Sequence, residues 1–320
     1  MTDPRAALRV TAPLFLVSEI QRSGGSMMAQ LFDGHPQAFA HPFEIQIGHP
    51  KKWHWPRFDL EDPPERWFDL LFEEPLRRFV ATGYGKGMSN AHAIADRRPF
   101  HFDIDRQRRV FVERMSGVPA TTHRAILDAY FSSFFIAWND WAPTGRERCV
   151  TGFTPVLIAV QKSVEGFFAD YPDGKLLTIV RDPRSWWISA CNHNARYRDR
   201  EWAIALWRTS AEASLRLSAE RPDKVLPLTY ERLVRDPEGT MRRVASFLGI
   251  EFDPILTVPT YLGQPVRPNS SFTVASFGIG AHGLDRSAAL APDDRAAIEA
   301  RAMPLYETAD ARVAERLAAG

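Results

Sequence analysis

Arg22, Ser23, Gly24, Gly25 and Ser26 sit between an apolar run at residues 14–17 and a segment in which Met27, Met28, Leu31 and Phe32 recur at helical spacing. A strand, a small-residue loop bearing a cation, and a helix start together make an anion cradle. Backbone N–H groups and the positive end of the helix dipole converge on one spot. Glycine lets the backbone come close, and Arg22 adds a forked donor. A phosphate or phosphate-like group is the expected guest; the plainer alternative is a strand-to-helix turn with a solvated Arg22. The nucleoside triphosphate loop, Gly-x-x-x-x-Gly-Lys-Ser/Thr, does not fit. Glu19 stands where its first Gly would be, and Gly25 where its Lys would be. A Gly-x-Gly-x-x-Gly match at Gly278, Gly280 and Gly283 has no clear strand and helix around it and reads as chance.

The elements that must position this loop follow from the hydrophobic pattern. Apolar runs at 14–17, 149–153, 176–180 and 225–229 read as buried strands. Helices are expected at about 120–141, where Ile126, Tyr130, Phe134 and Trp138 are one turn apart, and at 155–171, 184–194 and 199–219. Another runs from Pro237 to Leu248 and stops at Gly249. Strands separated by helices imply parallel βαβ units in a doubly wound α/β sheet. Ligands of such sheets bind beyond the C-terminal strand ends, where Arg22, Arg181 and Tyr230 all fall. Residues 40–70 read as loop-rich, an insertion over a site rather than core.

Composition narrows the partners. The 320 residues carry 40 Lys and Arg against 39 Asp and Glu, a net charge of +1, so no broad nucleic-acid or membrane field is indicated. No apolar run approaches the ~20 residues needed to span a bilayer, and the N-terminus has no signal-peptide pattern. Cys149 and Cys191 are the only cysteines, which fits a reducing cytoplasm and gives no zinc set with His193.

The loop core resembles the 5′-phosphosulfate loop of sulfotransferases that use 3′-phosphoadenosine 5′-phosphosulfate (PAPS). Many bacterial members carry Pro-Arg-Ser-Gly-Thr-Thr there; this chain has Gln21 for the Pro and Gly25-Ser26 for the two Thr. A second block is more specific. Val180-Arg181-Asp182-Pro183 leads to Ser189, eight residues after the arginine. In the family an Arg at a strand tip and a Ser on the next helix, at this spacing, hold the 3′-phosphate of PAPS. Without the first loop, a capping pair and a buried helix polar would explain the block about as well. Residues 227–250 resemble the family's Tyr-Glu-Asp-Leu…Asp-Pro…Phe-Leu-Gly block. They place Tyr230 near the adenine or, equally, in the core. Residues 266–272, with Arg267, Asn269 and Ser270, resemble a late Asn-Ser-Ser loop that closes over the nucleotide, or form an ordinary turn.

The resemblance covers about residues 12–272. It implies a three-layer α/β fold, with a mostly parallel central sheet flanked by helices in the P-loop-like sulfotransferase architecture. It implies a single domain over 1–320, with substrate-side insertions within 40–141 and a helical segment at 275–320. The cofactor set would be PAPS, with Arg22, Ser23, Gly24, Gly25, Ser26, Arg181, Ser189, Tyr230, Arg267, Asn269 and Ser270 binding it, and no metal. A sulfuryl group carries less charge than a phosphoryl group, so arginines and amides can replace Mg²⁺. Arg22 and Glu44 would be catalytic, Glu44 as the base that takes the acceptor's proton. His41, His49, His54, His92 and His101 are the alternatives if a histidine serves. The acceptor is a small molecule or carbohydrate; a homodimer is left open.

Three positions depart from the family. Glu19 replaces a Gly and would either repel the donor or pair with Arg22. Gly25 lacks a hydroxyl. Phe153 stands where many bacterial relatives have a Lys, with Lys86 or Lys162 as substitutes. A non-catalytic nucleotide-binding relative and a nucleotide-dependent kinase are the competing functions.

Overall fold

A computed structural model describes residues 5–47, 54–85, 97–117, 121–267, 277–281, 284 and 286–318. Five strands form one parallel sheet: β1 (Leu14–Ser18), β2 (Ala38–Glu44), β3 (Cys149–Phe153), β4 (Lys175–Val180) and β5 (Val225–Thr229). Their order is β2-β3-β1-β4-β5, with β1 in the centre. β1 is buried on both sides, as its unbroken apolar run requires. Alternation sends Leu14 and Leu16 to one face and Phe15 and Val17 to the other, into two different core clusters.

The first face carries α5 (His123–Ala137) and α6 (Gln161–Asp170), with the N-terminal aromatic helices α2 (Pro64–Leu71), α3 (Pro75–Thr82) and α4 (Ile104–Met115) packed outside them. The second face carries α1 (Gly25–Leu31), α9 (Tyr230–Arg235) and α10 (Pro237–Leu248). A third cluster joins α7 (Pro183–His193) and α8 (Arg200–Glu220) to the C-terminal helices α11 (Pro292–Arg301) and α12 (Met303–Ala318).

Local chemistry sets these boundaries. Thr122, Asp182, Asp199 and Asp236 each accept a backbone N–H from the first turn that follows them. Gly249 closes α10 at φ 77°, the left-handed stop anticipated from the sequence. The helix expected over 155–171 is divided. Val156 takes φ 68°, a 3₁₀ turn covers Leu157–Ala159, and α6 starts only at Gln161.

The loop-rich reading of residues 40–70 is corrected. They begin in β2 and continue into α2, and Phe43, Trp55, Phe58, Trp67 and Phe68 are all core residues. The strand is hidden in the sequence because its pairing is irregular. Ala40 faces Thr151 while Glu44 faces Phe153, so His41, Pro42 and Phe43 bulge out of the ladder.

A buried pair holds that bulge. His41 Nε2 lies 3.0 Å from Glu73 Oε2, and both side chains are inaccessible to solvent. His41 Nδ1 faces the Phe43 carbonyl at 2.9 Å, which can only accept, so Nδ1 carries a proton. The Nε2 contact therefore needs a second proton. Glu73 also accepts from the Gln46 N–H (2.8 Å) and the Tyr130 hydroxyl (3.1 Å), so one buried carboxyl group gathers three polar partners. Removing one partner strands the other. Glu73→Ala is expected to cost about 3–5 kcal/mol in urea unfolding, because His41, the Gln46 N–H and Tyr130 are left without a buried partner; a loss below about 1 kcal/mol would contradict that bracing role.

Candidate functional site

β1 ends at Ser18, whose hydroxyl accepts the Ile158 N–H at 3.0 Å. The loop beyond turns sharply, with Arg22 at φ 75° and Gly24 at φ 110°. Gly24 is needed for space as well as for conformation, since a Cβ there would stand 2.7 Å from the Tyr230 ring. The neighbouring strand and helix fasten the loop. The Trp186 indole donates to the Gln21 carbonyl (2.8 Å), and the Tyr197 hydroxyl to the Gln21 side chain (2.9 Å). Arg181, just past the tip of β4, donates from Nη1 to the Arg22 carbonyl at 2.7 Å.

The two motifs thus meet. Arg22 Nε points to the Ser189 hydroxyl at 3.4 Å, so one guanidinium bridges the loop and α7. Arg181 stacks on Tyr230, its Cζ 4.4 Å from the ring centroid. Arg181 is itself held by the Trp207 indole, which donates to its carbonyl at 3.0 Å. Tyr230 is buried, and its place between Gly24 and Arg181 makes it part of this cluster. Glu231 stands behind the arginines. Its carboxylate accepts the Asp182 N–H (3.1 Å) and the Tyr306 hydroxyl (2.8 Å), and burial raises its pKa.

A third cation, Arg286, joins them. Its backbone N–H donates to the Ser185 hydroxyl at 3.0 Å, which fixes the returning C-terminal segment over α7. Burial first, then repulsion from Arg181 and Arg286, pushes Arg22 down to about 10. Burial and Arg181 bring Arg286 to about 10 as well. Arg181 is also lowered by burial, against the pull of Tyr230, Glu231 and Asp182. All three guanidiniums stay protonated at neutral pH. Their crowding is a field that an anion relieves. Arg286 was not found from the sequence: it belongs to no strand-end motif, and only the path of the chain brings it in.

The remaining loop residues fit the same guest. The Ser23 hydroxyl is buried with no hydrogen-bond partner among the described residues, a donor suited to an anionic oxygen. Ser26 is half-buried in the first turn of α1. Arg267 lies differently. It follows a hairpin of β6 (Thr260–Tyr261) and β7 (Gln264–Pro265), which is anchored on Asp33 beyond the far end of α1, and its guanidinium lies over Phe277 at 5.3 Å. Asn269 and Ser270 fall outside the described residues, as do His49, His92 and Lys86. Among the described residues no three His, Cys, Asp or Glu side chains gather as a metal site.

Glu44 is not in a loop; it ends β2, opposite Phe153. That places it on the same sheet edge as the loop, about 10 Å from β1 across two strand spacings. Of the histidines, His41 is spent on Glu73, and the largely exposed His101 pairs with Asp140 at 2.6 Å.

Glu19 is buried, and its Oε1 accepts the Gly25 N–H at 3.0 Å. Both its oxygens, and the Phe153 ring, press on the point where a Gly25 Cβ would stand. All three departures from the family pattern therefore meet at one point: the carboxylate and the phenyl ring fill the volume of the side chain missing at 25. Gly25→Thr is expected to destabilise the protein by about 1–3 kcal/mol through overpacking. The double variant Glu19→Gly/Gly25→Thr should recover more than half of that loss, read by thermal or urea unfolding. Additive losses in the double variant would contradict the coupling.

Comparison with known proteins identifies the family and the fold. The profile described as "Sulfotransferase family" matches residues 13–254. The fold is similar to the sulfotransferase domain of the Synechococcus PCC 7002 olefin synthase, with TM-score 0.55 and 18% identity over 96% of this chain and 98% of that one. It is also similar to the sulfotransferase domain from the curacin biosynthetic pathway, with TM-score 0.55 and 16% identity over 92% and 98%. No curated protein matches the sequence. With the loop, the β4 tip and the parallel sheet in their places, the chain belongs to the sulfotransferase family.

Proposed function

We propose that the protein transfers the sulfuryl group of PAPS to a hydroxyl or amine of a small-molecule or carbohydrate acceptor. The observation that carries this reading is the clustering of Arg22, Arg181 and Arg286, with Ser189 on Arg22, in a site that also offers the unpartnered Ser23 hydroxyl. Three guanidiniums and two hydroxyls match a ligand with two separated anionic groups. Arg181, Ser189 and Arg286 hold the 3′-phosphate. The loop from Ser23 to Ser26 holds the 5′-phosphosulfate, and Arg22 lies between the two. Tyr230 packs beside Arg181 and closes the nucleotide side.

PAPS, when bound, supplies an activated sulfuryl group, and its departing half is 3′-phosphoadenosine 5′-phosphate (PAP). The acceptor oxygen bonds to sulfur, its proton passes to the Glu44 carboxylate, and the electron pair of the broken S–O bond leaves on the 5′-phosphate. Arg22 and the loop amides stabilise that developing charge. Arginines supply the neutralisation that phosphoryl enzymes obtain from Mg²⁺, so no metal enters. One observation favours the non-catalytic reading: Glu19 already occupies the Gly25 amide. In that reading the nucleotide binds and no transfer follows.

A thermal-shift comparison separates these readings. PAP should raise the melting temperature by several degrees at 100-fold excess over its Kd, equivalent to about 2.7 kcal/mol, with no metal added. Mg²⁺–ATP should do less; the reverse order would favour a kinase. Glu44→Gln should lower kcat by about 10²–10⁴-fold and leave the PAP shift intact. Unchanged turnover would place the base elsewhere, and PAP binding without turnover in the unmodified protein would mark a non-catalytic relative. Arg286→Ala should weaken PAP at least about tenfold, or 1.4 kcal/mol, without lowering the melting temperature of the free protein. Loss of free-protein stability instead would make Arg286 structural.

A further inference from the structure

The described residues contain a cleft of about 550 Å³ outside the arginine cluster, lined in part by His54, Trp55, Arg57, Leu70, Val160 and Lys162. Its volume is that of a small-molecule site. Its place in the fold ties it to the sheet edge. It shares His54, Trp55 and Pro56 with a small cavity that reaches Ile45 and Thr154, the residues directly after Glu44 and Phe153. The small cavity is also lined by Leu14 and Leu16, so the cleft lies on the Leu14–Leu16 face of the sheet, near the ends of β2 and β3, and neither Arg181 nor Arg286 lines it.

The lining has a definite chemistry. Trp55, Pro56, Leu70 and Val160 give an apolar wall. Trp55 is fixed: its backbone N–H donates to Ser163 Oγ (2.9 Å) and its indole to Asp170 (2.7 Å). Among the described residues the charged lining groups are Arg57 and Lys162, His54 is the one further titratable side chain, and no carboxylate lines the cleft. Arg57 and Lys162 are exposed and have no ion-pair partner among the described residues. The neighbouring acids are engaged: Asp170 by Trp55 and His123, and Glu165 by the Gln161 amide at 2.8 Å. An apolar wall with two cations that have no acidic partner among the described residues selects a molecule that is apolar along its length and negative at one end.

We propose that this cleft is the acceptor site, and that the acceptor is an amphipathic hydroxy compound with a carboxylate or comparable anion on an apolar body. This rests on the sulfotransferase reading of the neighbouring site. The anionic end lies between Arg57 and Lys162, the body lies along Trp55, Pro56 and Val160, and the hydroxyl is delivered toward Glu44. Lys162, the substitute considered for the cation missing at Phe153, acts on the acceptor in this assignment rather than on the donor.

The test uses ω-hydroxyalkanoates of eight to twelve carbons and their methyl esters as acceptors, with PAPS as donor. The free acids should exceed their esters in kcat/KM by about tenfold, the scale of two exposed charge contacts. The excess should peak at one chain length. Arg57→Gln/Lys162→Gln should reduce the acid-to-ester ratio to near one, while the PAP thermal shift stays that of the unmodified protein and shows that the variant is folded. Equal use of acid and ester, or a preference that survives the double substitution, would overturn the assignment. Failure of the donor reading is distinguishable, because PAP then gives no shift. The cleft is still tested in that case by calorimetric titration with 12-hydroxydodecanoate against its methyl ester, where equal binding overturns it.

Discussion

Three guanidinium groups from distant parts of the chain are held in one another's field, and the rest of the site depends on that crowding. Arg22 comes from the first loop, Arg181 from the tip of β4 and Arg286 from the returning C-terminal segment. Like charges at this separation cost free energy in the unliganded protein. The fold meets that cost with fixed anchors. Trp207 and Tyr230 hold Arg181, Arg181 holds the Arg22 carbonyl, and Trp186 and Tyr197 hold Gln21. The repulsion is thus stored in a rigid frame that an anion can relieve, which is what preorganised electrostatic binding requires.

The same frame explains the division of labour across the sheet edge. The cations gather on the β4 side of the loop, while Glu44 and the cleft lie on the β2 and β3 side. A donor spanning the loop would have its anionic handle on one side and its transferable group on the other. The bulge that ends β2, braced by His41 and Glu73, sets where Glu44 stands relative to the loop. Positioning of the proposed base and stability of the N-terminal aromatic core therefore share one buried His41–Glu73 contact.

Much of this was legible in the sequence. Apolar runs marked β1, β3, β4 and β5, and Asp and Gly at the helix ends marked where α7, α8 and α10 start or stop. The spacing of Arg181 and Ser189 read as two groups serving one ligand, and in the structure both contact Arg22. What was hidden depends on tertiary contact. β2 was obscured because His41-Pro42-Phe43 leaves the ladder, so its residues do not alternate. Arg286 carries no local signature, and its role arises only from the path of the C-terminal segment over Ser185. Glu19 looked hostile to an anion when read alone; its place against Gly25 and Phe153 shows one compensated exchange of volume.

In the proposed reading, Arg181, Arg286 and Ser189 hold a second anionic group on a nucleotide, with Arg22 between the two groups. That reading is tested most directly by calorimetric affinities for 3′-phosphoadenosine 5′-phosphate and adenosine 5′-monophosphate, measured without added metal. These ligands differ only in the 3′-phosphate. The expected result is at least about 100-fold tighter binding of the bisphosphate, equivalent to roughly 2.7 kcal/mol for charge-assisted contacts made in a buried site. Equal affinity for the two nucleotides would contradict the account.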